Sequence, residues 1–400
     1  MARAHRARQD FSAILIRLMK NRQLYLLLSA SALGAMSYGV MFTMLDDYRD
    51  KYSIAESKLG LIVAAGFITG FIANVLIAPY ADKGHAKRLV ILGIMMEIIG
   101  CLIMAFGGSF IALFLGRFLT GLGGGSTEPS VRRIIILANP REMGRNLGLS
   151  VSAGVGGFAL GPVISAVTVA TFGLAAPFLI ICALLAVTLV GISRMHVEEA
   201  DIADAPSQRM AFDLLRLRPI LGAAIIGLSL FVMIGTFDSL WSVMMEDIKA
   251  PTWVASVGIT IFAMPMLFLA PLGGRLTQKI GPFKASIAGL SIAALFMTLY
   301  GTIGSPYAML AIGLFHGVVD GLTITGGSAA IALVAPKERL ASAQGLYSGL
   351  QTLMGGLTAG LAGLTYEHIG RNTFWVCTLV MFGLIGSGAF IARDHLQIKG

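Results

Sequence analysis

Residues 78–88 read Ala-Pro-Tyr-Ala-Asp-Lys-Gly-His-Ala-Lys-Arg, and residues 274–284 read Gly-Arg-Leu-Thr-Gln-Lys-Ile-Gly-Pro-Phe-Lys. Each closes a long apolar run with a short basic turn. A second pair keeps the same spacing: Pro140-Arg141-Glu142 followed by Asn146-Leu147-Gly148-Leu149, and Pro336-Lys337-Glu338 followed by Ala343-Gln344-Gly345-Leu346. An offset of 196 to 197 residues at both places in a 400-residue chain reads as an internal duplication.

The composition says where the two halves live. Hydrophobic residues make up 56%, charged residues 13%, and the mean hydropathy is +0.81. Such a chain cannot cover a water-facing surface with polar groups, which excludes a soluble enzyme, and it is too apolar for disorder. The 49 glycines show no three-residue period, so collagen is excluded, and glycine enrichment suits close helix packing in a membrane. A hydrocarbon core of about 30 Å needs about 20 apolar helical residues. Twelve segments meet that need: 24–45, 58–81, 89–107, 109–133, 146–170, 174–193, 219–245, 253–276, 283–302, 306–333, 341–365 and 372–392. No β-barrel alternation is present. Cys101, Cys182 and Cys377 sit inside apolar runs and read as small buried hydrophobes.

Lys and Arg set the orientation. The segment before residue 24, every second connection and the tail 393–400 are basic, and together they hold 24 of the 30 Lys and Arg, whereas the other connections hold 5. Both termini are therefore expected on the cytoplasmic side, and the net charge of +9 is explained by topology rather than by nucleic acid. The basic start followed by an apolar run invites a signal-peptide reading, but the run continues to Leu45 and eleven more follow, so an uncleaved first span is expected. Phe11, Ile14, Leu15 and Leu18 share one helical face, which suggests a short interfacial helix within 1–23 or, equally, a frayed tail. The resulting organisation is a cytoplasmic N-terminal segment 1–23, a six-helix bundle 24–193, a mobile linker 194–218, a second bundle 219–392 and a tail 393–400. The fold class is all-α membrane protein, with twelve transmembrane helices in two pseudo-symmetric bundles and a site between them.

The repeated motifs resemble those of the major facilitator superfamily. Its loop between spans 2 and 3 carries Gly-x-Leu-Ala-Asp-Arg, a second Gly and basic residues. Asp82, Lys83, Lys87 and Arg88 fit, Ala78 replaces the first Gly, and Gly84 sits one place early; the copy at 274–284 has Gln278 for the acid. Span 4 carries Arg117-Phe118-Leu119-Thr120-Gly121-Leu122-Gly123, similar to the family's Arg-x-x-x-Gly-x-Gly motif. Span 5 carries Gly148, Gly157, Gly161 and Pro162, which resembles the antiporter signature of the twelve-span drug–proton branch, with Ser165-Ala166 where a Gly pair is usual. The resemblance implies a conformational latch at Asp82, Lys83, Lys87 and Arg88, with the acid capping a helix of the opposite bundle near the start of span 11. It also implies a role in proton transfer for Arg117. Gly148, Gly157, Gly161 and Pro162 would form a hinge or a sealing contact, or plain close packing.

Charges at lipid depth need a cavity, a partner or neutralisation. Arg117 and Glu128 are eleven residues apart and share a face of span 4, about 16 Å apart along its axis. His316 and Asp320, at i and i+4, share a face of span 10. Asp238 in span 7 is at similar depth to His316. With spans 1, 4, 7 and 10 lining the cavity, as the resemblance implies, these groups are candidates for proton coupling: Asp238, Asp320, His316, Arg117 and Glu128. The alternative is a structural polar pair locking spans 7 and 10. The expected substrate cavity comprises Tyr38, Met41, Phe42, Arg117, Asp238, Trp241, Phe262, His316 and Tyr347. Glu97 falls in span 3, expected at the periphery, and no role follows for it.

A secondary active transporter is the reading that results, with proton-coupled efflux of hydrophobic or cationic small molecules first, an organic-anion symporter or uniporter second and an amphiphile flippase third. Gly121 to Ser126 is glycine-rich but lies within a span and lacks the Lys of a phosphate loop, so an ATP-driven pump is unsupported. The expected partners are a small-molecule substrate, protons and the lipid bilayer of a prokaryotic inner membrane. Nucleic acid, cofactor, metal and catalytic residues are not expected, and a monomer is.

Overall fold

A computed structural model describes residues 2–199, 206 and 210–398. Among them there is no strand. The helices are α1 (Ala2–Thr43), α2 (Leu45–Tyr52), α3 (Glu56–Ile72), α4 (Ala86–Phe106), α5 (Phe110–Ala138), α6 (Met143–Phe172) and α7 (Ala176–Ser193), then α8 (Arg218–Asp247), α9 (Thr252–Ile280), α10 (Pro282–Thr302), α11 (Pro306–Thr323), α12 (Gly326–Val334), α13 (Leu340–Ile369) and α14 (Thr373–Ile391). Ten stretches of the described residues are long and apolar enough to cross a membrane. One of them, Lys337–Ile391, contains both α13 and α14. The equally long α5 is not among the ten, and it carries Arg117, Glu128, Arg132 and Arg133. Counting those two helices separately and adding α5 gives twelve rods among the described residues.

Several boundaries differ from expectation, each for a local reason. α1 runs unbroken from Ala2 because no Gly or Pro interrupts residues 2–33; the side chains of Phe11, Ile14, Leu15 and Leu18 lie outside the described residues. The polar α2 follows α1 and ends at Ser53 in the left-handed region (φ 51°). Span 2 is regular only to Ile72; a π-helical turn (Ala73–Ile77) and a 3-10 turn (Ala78–Lys83) follow. Pro79 accounts for this, since it has no N–H and its ring crowds the preceding turn. Gly84, at φ 78°, ends the span in a conformation that favours glycine. Span 10 is broken between Thr323 and Gly326 into α11 and α12.

The duplication is visible in the packing. In the first half α1 lies on α6 and α7, α3 on α5, and α4 on α5 and α7. In the second, α8 lies on α13 and α14, α9 on α11, and α10 on α11 and α14. The halves are joined chiefly where α6 lies on α9 and where α5 and α3, with the turns that continue α3 to Lys83, lie on α13. The bundles meet on the face that holds the basic connections. There Gly144 is packed against Gly274, Gly148 against Ala270 and Gly345 against Asn74, so closely that a Cβ on any of the three glycines would fall within about 2.4 Å of a backbone oxygen. Further along the same stripe of α13, Gly356, Gly360 and Gly363 have nothing within 4 Å. The bundles therefore touch on the basic face and part toward the opposite one.

The connection between bundles is anchored at both ends rather than free. Glu199 accepts hydrogen bonds from the backbone N–H groups of Ala86 (3.1 Å) and Lys87 (2.7 Å) at the start of α4. Leu214 is buried, and Arg339, before α13, donates to both carboxylate oxygens of Asp213 and to the Met210 carbonyl. Residues 200–205 and 207–209, part of the expected mobile linker, lie outside the described residues.

Candidate functional site

A cavity of about 380 Å³ lies between the bundles, lined chiefly by the first. α1 contributes Ser31, Gly34 and Tyr38; the α3 rod Gly66, Phe67 and Asn74; α4 Glu97; α5 Arg117, Thr127, Glu128 and Arg132; α6 Phe158. The second bundle adds Phe231 from α8 and Ser348 and Gln351 from α13.

Arg117 is buried, and its guanidinium carbon stands 3.7 Å from the centroid of the Tyr38 ring. It fits because Gly66 has no side chain: a Cβ there would come within 2.2 Å of Arg117 Nε. Its Nη1 donates to Thr120 Oγ1 (3.3 Å), while Nε has no partner. Glu128 is fully engaged. It accepts from Ser31 Oγ (2.7 Å), Ser150 Oγ (3.1 Å) and Arg132 Nε (3.1 Å), and Arg132 Nη1 reaches across to Ser348 Oγ of α13 (2.8 Å). Five buried polar atoms without a partner belong to residues of this cavity: Tyr38 Oη, Asn74 Oδ1, Glu97 Oε2, Arg117 Nε and Thr127 Oγ1. Buried polar groups normally find partners, so this clustering marks the cavity as a place built to receive one.

Glu97 corrects the expectation for span 3. Its helix is peripheral, but the side chain is 2% exposed and lines the cavity. It passes through a gap of glycines: a Cβ at Gly34 would stand 2.8 Å from Glu97 Oε1, and one at Gly123 2.8 Å from its Cγ. Glycines along α4 and α5 bring those helices close enough for the reach.

The second bundle holds its charges differently. His316 is fully buried inside the bundle rather than in the cavity, stacked on Phe296 (centroids 4.9 Å apart) and edge-on to Phe262 (5.0 Å). Its Nδ1 meets the Tyr300 hydroxyl at 3.3 Å and its Nε2 the Met233 sulfur at 3.1 Å. Asp320 Oδ2 lies 3.7 Å from His316 Nε2 and borders a chamber of about 10 Å³, the size of one water. Asp238 is exposed. It continues the stripe of α8 that carries Phe231 and Ile234, and so faces the gap where the bundles part. His316 and Asp238 thus do not converge with Arg117. Met41 and Trp241 are also core residues, Phe262 packs in the second bundle, and Phe42 supports Tyr38 edge-on. Tyr347 lines a second chamber of about 150 Å³, which shares Arg132, Phe231 and Gln351 with the first. The assumption that whole spans line the cavity fixed no rotational phase, and phase decides which side chains face inward.

At the basic face, Asp82 is completely buried. Its Oδ1 accepts from Ala341 N (2.9 Å) and Arg133 Nε (3.1 Å), and its Oδ2 from Ser342 N and Oγ (both 2.7 Å). It caps the start of α13 in the other bundle, where the helix dipole favours an anion. Gln278 is its counterpart, with Oε1 accepting from Gly144 N (2.9 Å) at the start of α6 and Nε2 donating to the Pro140 carbonyl (3.2 Å). Lys83 lies over the Tyr80 ring, Lys87 donates to the Ser193 carbonyl of its own bundle, and Arg88 is exposed; these three do not cross between bundles. In the span 5 motif, Gly148 meets α9 across the bundles, whereas Gly157 and Gly161 pack against Ala32, Gly39 and Val40 of α1, and Pro162 leaves α6 unbroken. The i, i+4 spacing from Glu128 marks Arg132 as its neighbour, whereas nothing local in the sequence links Arg133 to Asp82.

Comparison with known proteins agrees with this geometry. A sequence model of the Major Facilitator Superfamily matches residues 26–258 and 223–396. The Escherichia coli K12 fosmidomycin resistance protein is 24% identical over 333 residues, 80% of each chain. The Staphylococcus aureus quinolone resistance protein NorA is 27% identical over 143 residues, 36% of this chain and 37% of that one. Among solved structures, the E. coli fucose:proton symporter FucP superposes with a TM-score of 0.75 at 16% identity, covering 92% of this chain and 98% of that one. The human organic anion transporter MFSD10 superposes with a TM-score of 0.76 at 15% identity, covering 93% and 99%.

Proposed function

This chain belongs to the Major Facilitator Superfamily and is a multi-pass membrane transporter rather than an enzyme; from that premise we propose that it exports hydrophobic or cationic small molecules in exchange for protons. The observation that carries the reading is a cavity of about 380 Å³ between the bundles, closed on the basic face, with aromatic side chains and carboxyl groups in one lining. Tyr38, Phe67, Phe158 and Phe231 offer apolar and π surface; a cation and a proton compete for a carboxylate beside them, which is the elementary condition for exchange. The names of two relatives, both resistance proteins, support export.

In the cycle proposed, the basic face is cytoplasmic. Asp82 with Arg133, and Gln278 opposite, hold that face shut in the state described; their release, with sliding at the Gly148–Ala270 crossing, would open it while the opposite side closes. Asp238, in the open gap, would meet protons and substrate arriving from outside. His316 and Asp320 would act as an internal polar pair that ties α11 to α8 and α10.

The test is proton movement in proteoliposomes loaded with a pH-sensitive dye. Adding ethidium should drive protons in the opposite direction to the dye cation, and an imposed pH gradient should concentrate it. Ethidium flux without proton movement would refute exchange. A second reading, transport of an organic anion, is favoured by the partnerless Nε of Arg117 in the same cavity; it expects benzoate or fosmidomycin to move with protons in the same direction. Reporter tags before residue 24 and within 194–218 should both be accessible from the cytoplasm.

A further inference from the structure

Four carboxyl groups lie within the spans at or near the route between bundles, and the structure distinguishes them. Glu128 is satisfied by two hydroxyls and a guanidinium. Asp238 is exposed. Asp320 is buried and borders the small chamber within the second bundle, and it is not part of the lining of the large cavity. Glu97 alone among these is both buried and a wall of the large cavity, and its Oε2 has no partner. Charge on a buried carboxyl in that condition is costly unless a proton, or a cation in the cavity, offsets it.

We propose that Glu97 carries the coupling proton, and that the window of Gly34, Gly123 and Gly124 exists to admit a side chain from a peripheral helix into the cavity. The inference rests on the exchange reading above and adds the residue that performs it. The charged and titratable groups that face this position are few. α5 presents Arg117 and Glu128, of which the second is already paired with Arg132; α1 presents the Tyr38 phenol; α7 presents Cys182, whose thiol points to the Ile98 carbonyl (3.6 Å); and α4 itself adds Cys101 one turn on. The turn Ala78–Lys83, which carries Asp82 and Lys83, also packs on α4. Arg117 is the counter-charge in that set that is not paired with a carboxylate, with a partnerless Nε and its charge resting on Tyr38. Loss of the proton from Glu97 therefore gives Arg117 a carboxylate to turn toward, and a substrate cation competes with both for the same oxygen. The proton leaves to the cavity water as the cation arrives, so one positive charge replaces another.

The experiment uses the full chain in proteoliposomes with ethidium as probe and two assays. One is gradient-driven accumulation, where a one-unit pH gradient is worth about tenfold in concentration ratio per proton exchanged. The other is ethidium–ethidium exchange without a gradient, which requires binding and reorientation but no proton. Glu97→Gln should abolish accumulation, and the ethidium–ethidium exchange it retains should need a higher ethidium concentration and no longer respond to pH. Gly34→Ala, which sets a methyl 2.8 Å from Glu97 Oε1, should shift the pH profile without abolishing exchange, and it carries the test should Glu97→Gln fail to assemble. Accumulation that survives in Glu97→Gln, exchange in that variant that keeps the wild-type pH dependence, or an unmoved pH profile in Gly34→Ala would overturn the assignment. Wild-type protein that moves ethidium without protons would instead overturn the exchange reading on which it stands.

Discussion

Arg133 and Asp82 form an ion pair with side chains 3% and 0% exposed, and the pair is held by the start of a helix from the other bundle. Removing one partner of such a pair strands a buried charge and typically costs about 3–5 kcal/mol. Arg133→Leu should therefore lower the melting temperature in detergent strongly. Adding Asp82→Asn to it should restore part of the loss, because residues in contact are not additive; a double variant as unstable as the sum of the singles would contradict the pairing. Legibility at this scale was uneven. Asp82 and its target near the start of span 11 followed from a resemblance, and the geometry puts the acid on Ala341 and Ser342. Arg133 was counted as a topology charge because its partner is 51 residues away and no local pattern links them. Glu97 could not be assigned because a sequence does not give the rotation of one helix about its axis relative to another, although Gly34, Gly123 and Gly124 were all present to be read.

The α6–α9 crossing turns on atoms that are missing. Gly144, Gly148 and Gly274 allow backbone to meet backbone, and a leucine at Gly148 would enter the Ala270–Pro271 backbone. Gly148→Leu should keep the basic face from closing. A Ser348→Cys reporter in the cavity then reacts with a membrane-impermeant maleimide from the basic side, whereas the same reporter with Gly148 intact reacts from the opposite side. The natural cysteines, Cys101, Cys182 and Cys377, are all buried, so background labelling should be low. Equal labelling from both sides in the two proteins would refute the seal. Helix existence was almost entirely legible, since apolar length and basic punctuation dictate it. What escaped was irregular backbone: the π and 3-10 turns before Gly84, the break between α11 and α12, and the polar α2, which hydropathy treats as loop.

Across the whole molecule the 196–197-residue offset maps contact onto contact. Asn74 meets Gly345 as Ala270 meets Gly148. The correspondence fails in charge: one clasp is an acid with a buried guanidinium, the other a neutral amide. The docking of residues 210–217 adds a pH term of known sign. The Arg339 guanidinium beside Asp213 holds that carboxyl below the ordinary carboxylate range, so the contact stabilises at neutral pH and is lost as pH falls through the lowered value. With Asp213 39% exposed, the contribution should be at most about 1 kcal/mol. Hydrogen exchange over 210–217 should rise only below about pH 4 in the wild type and at every pH in Asp213→Asn; exchange indifferent to both would refute the anchor. The linker's two ends carry a last implication. Since Glu199 fastens the first end to its own half and Arg339 fastens the second to the other, severing the chain between them removes no described contact. Two separately translated polypeptides, 1–204 and 205–400, should find each other in a shared bilayer and rebuild a working carrier.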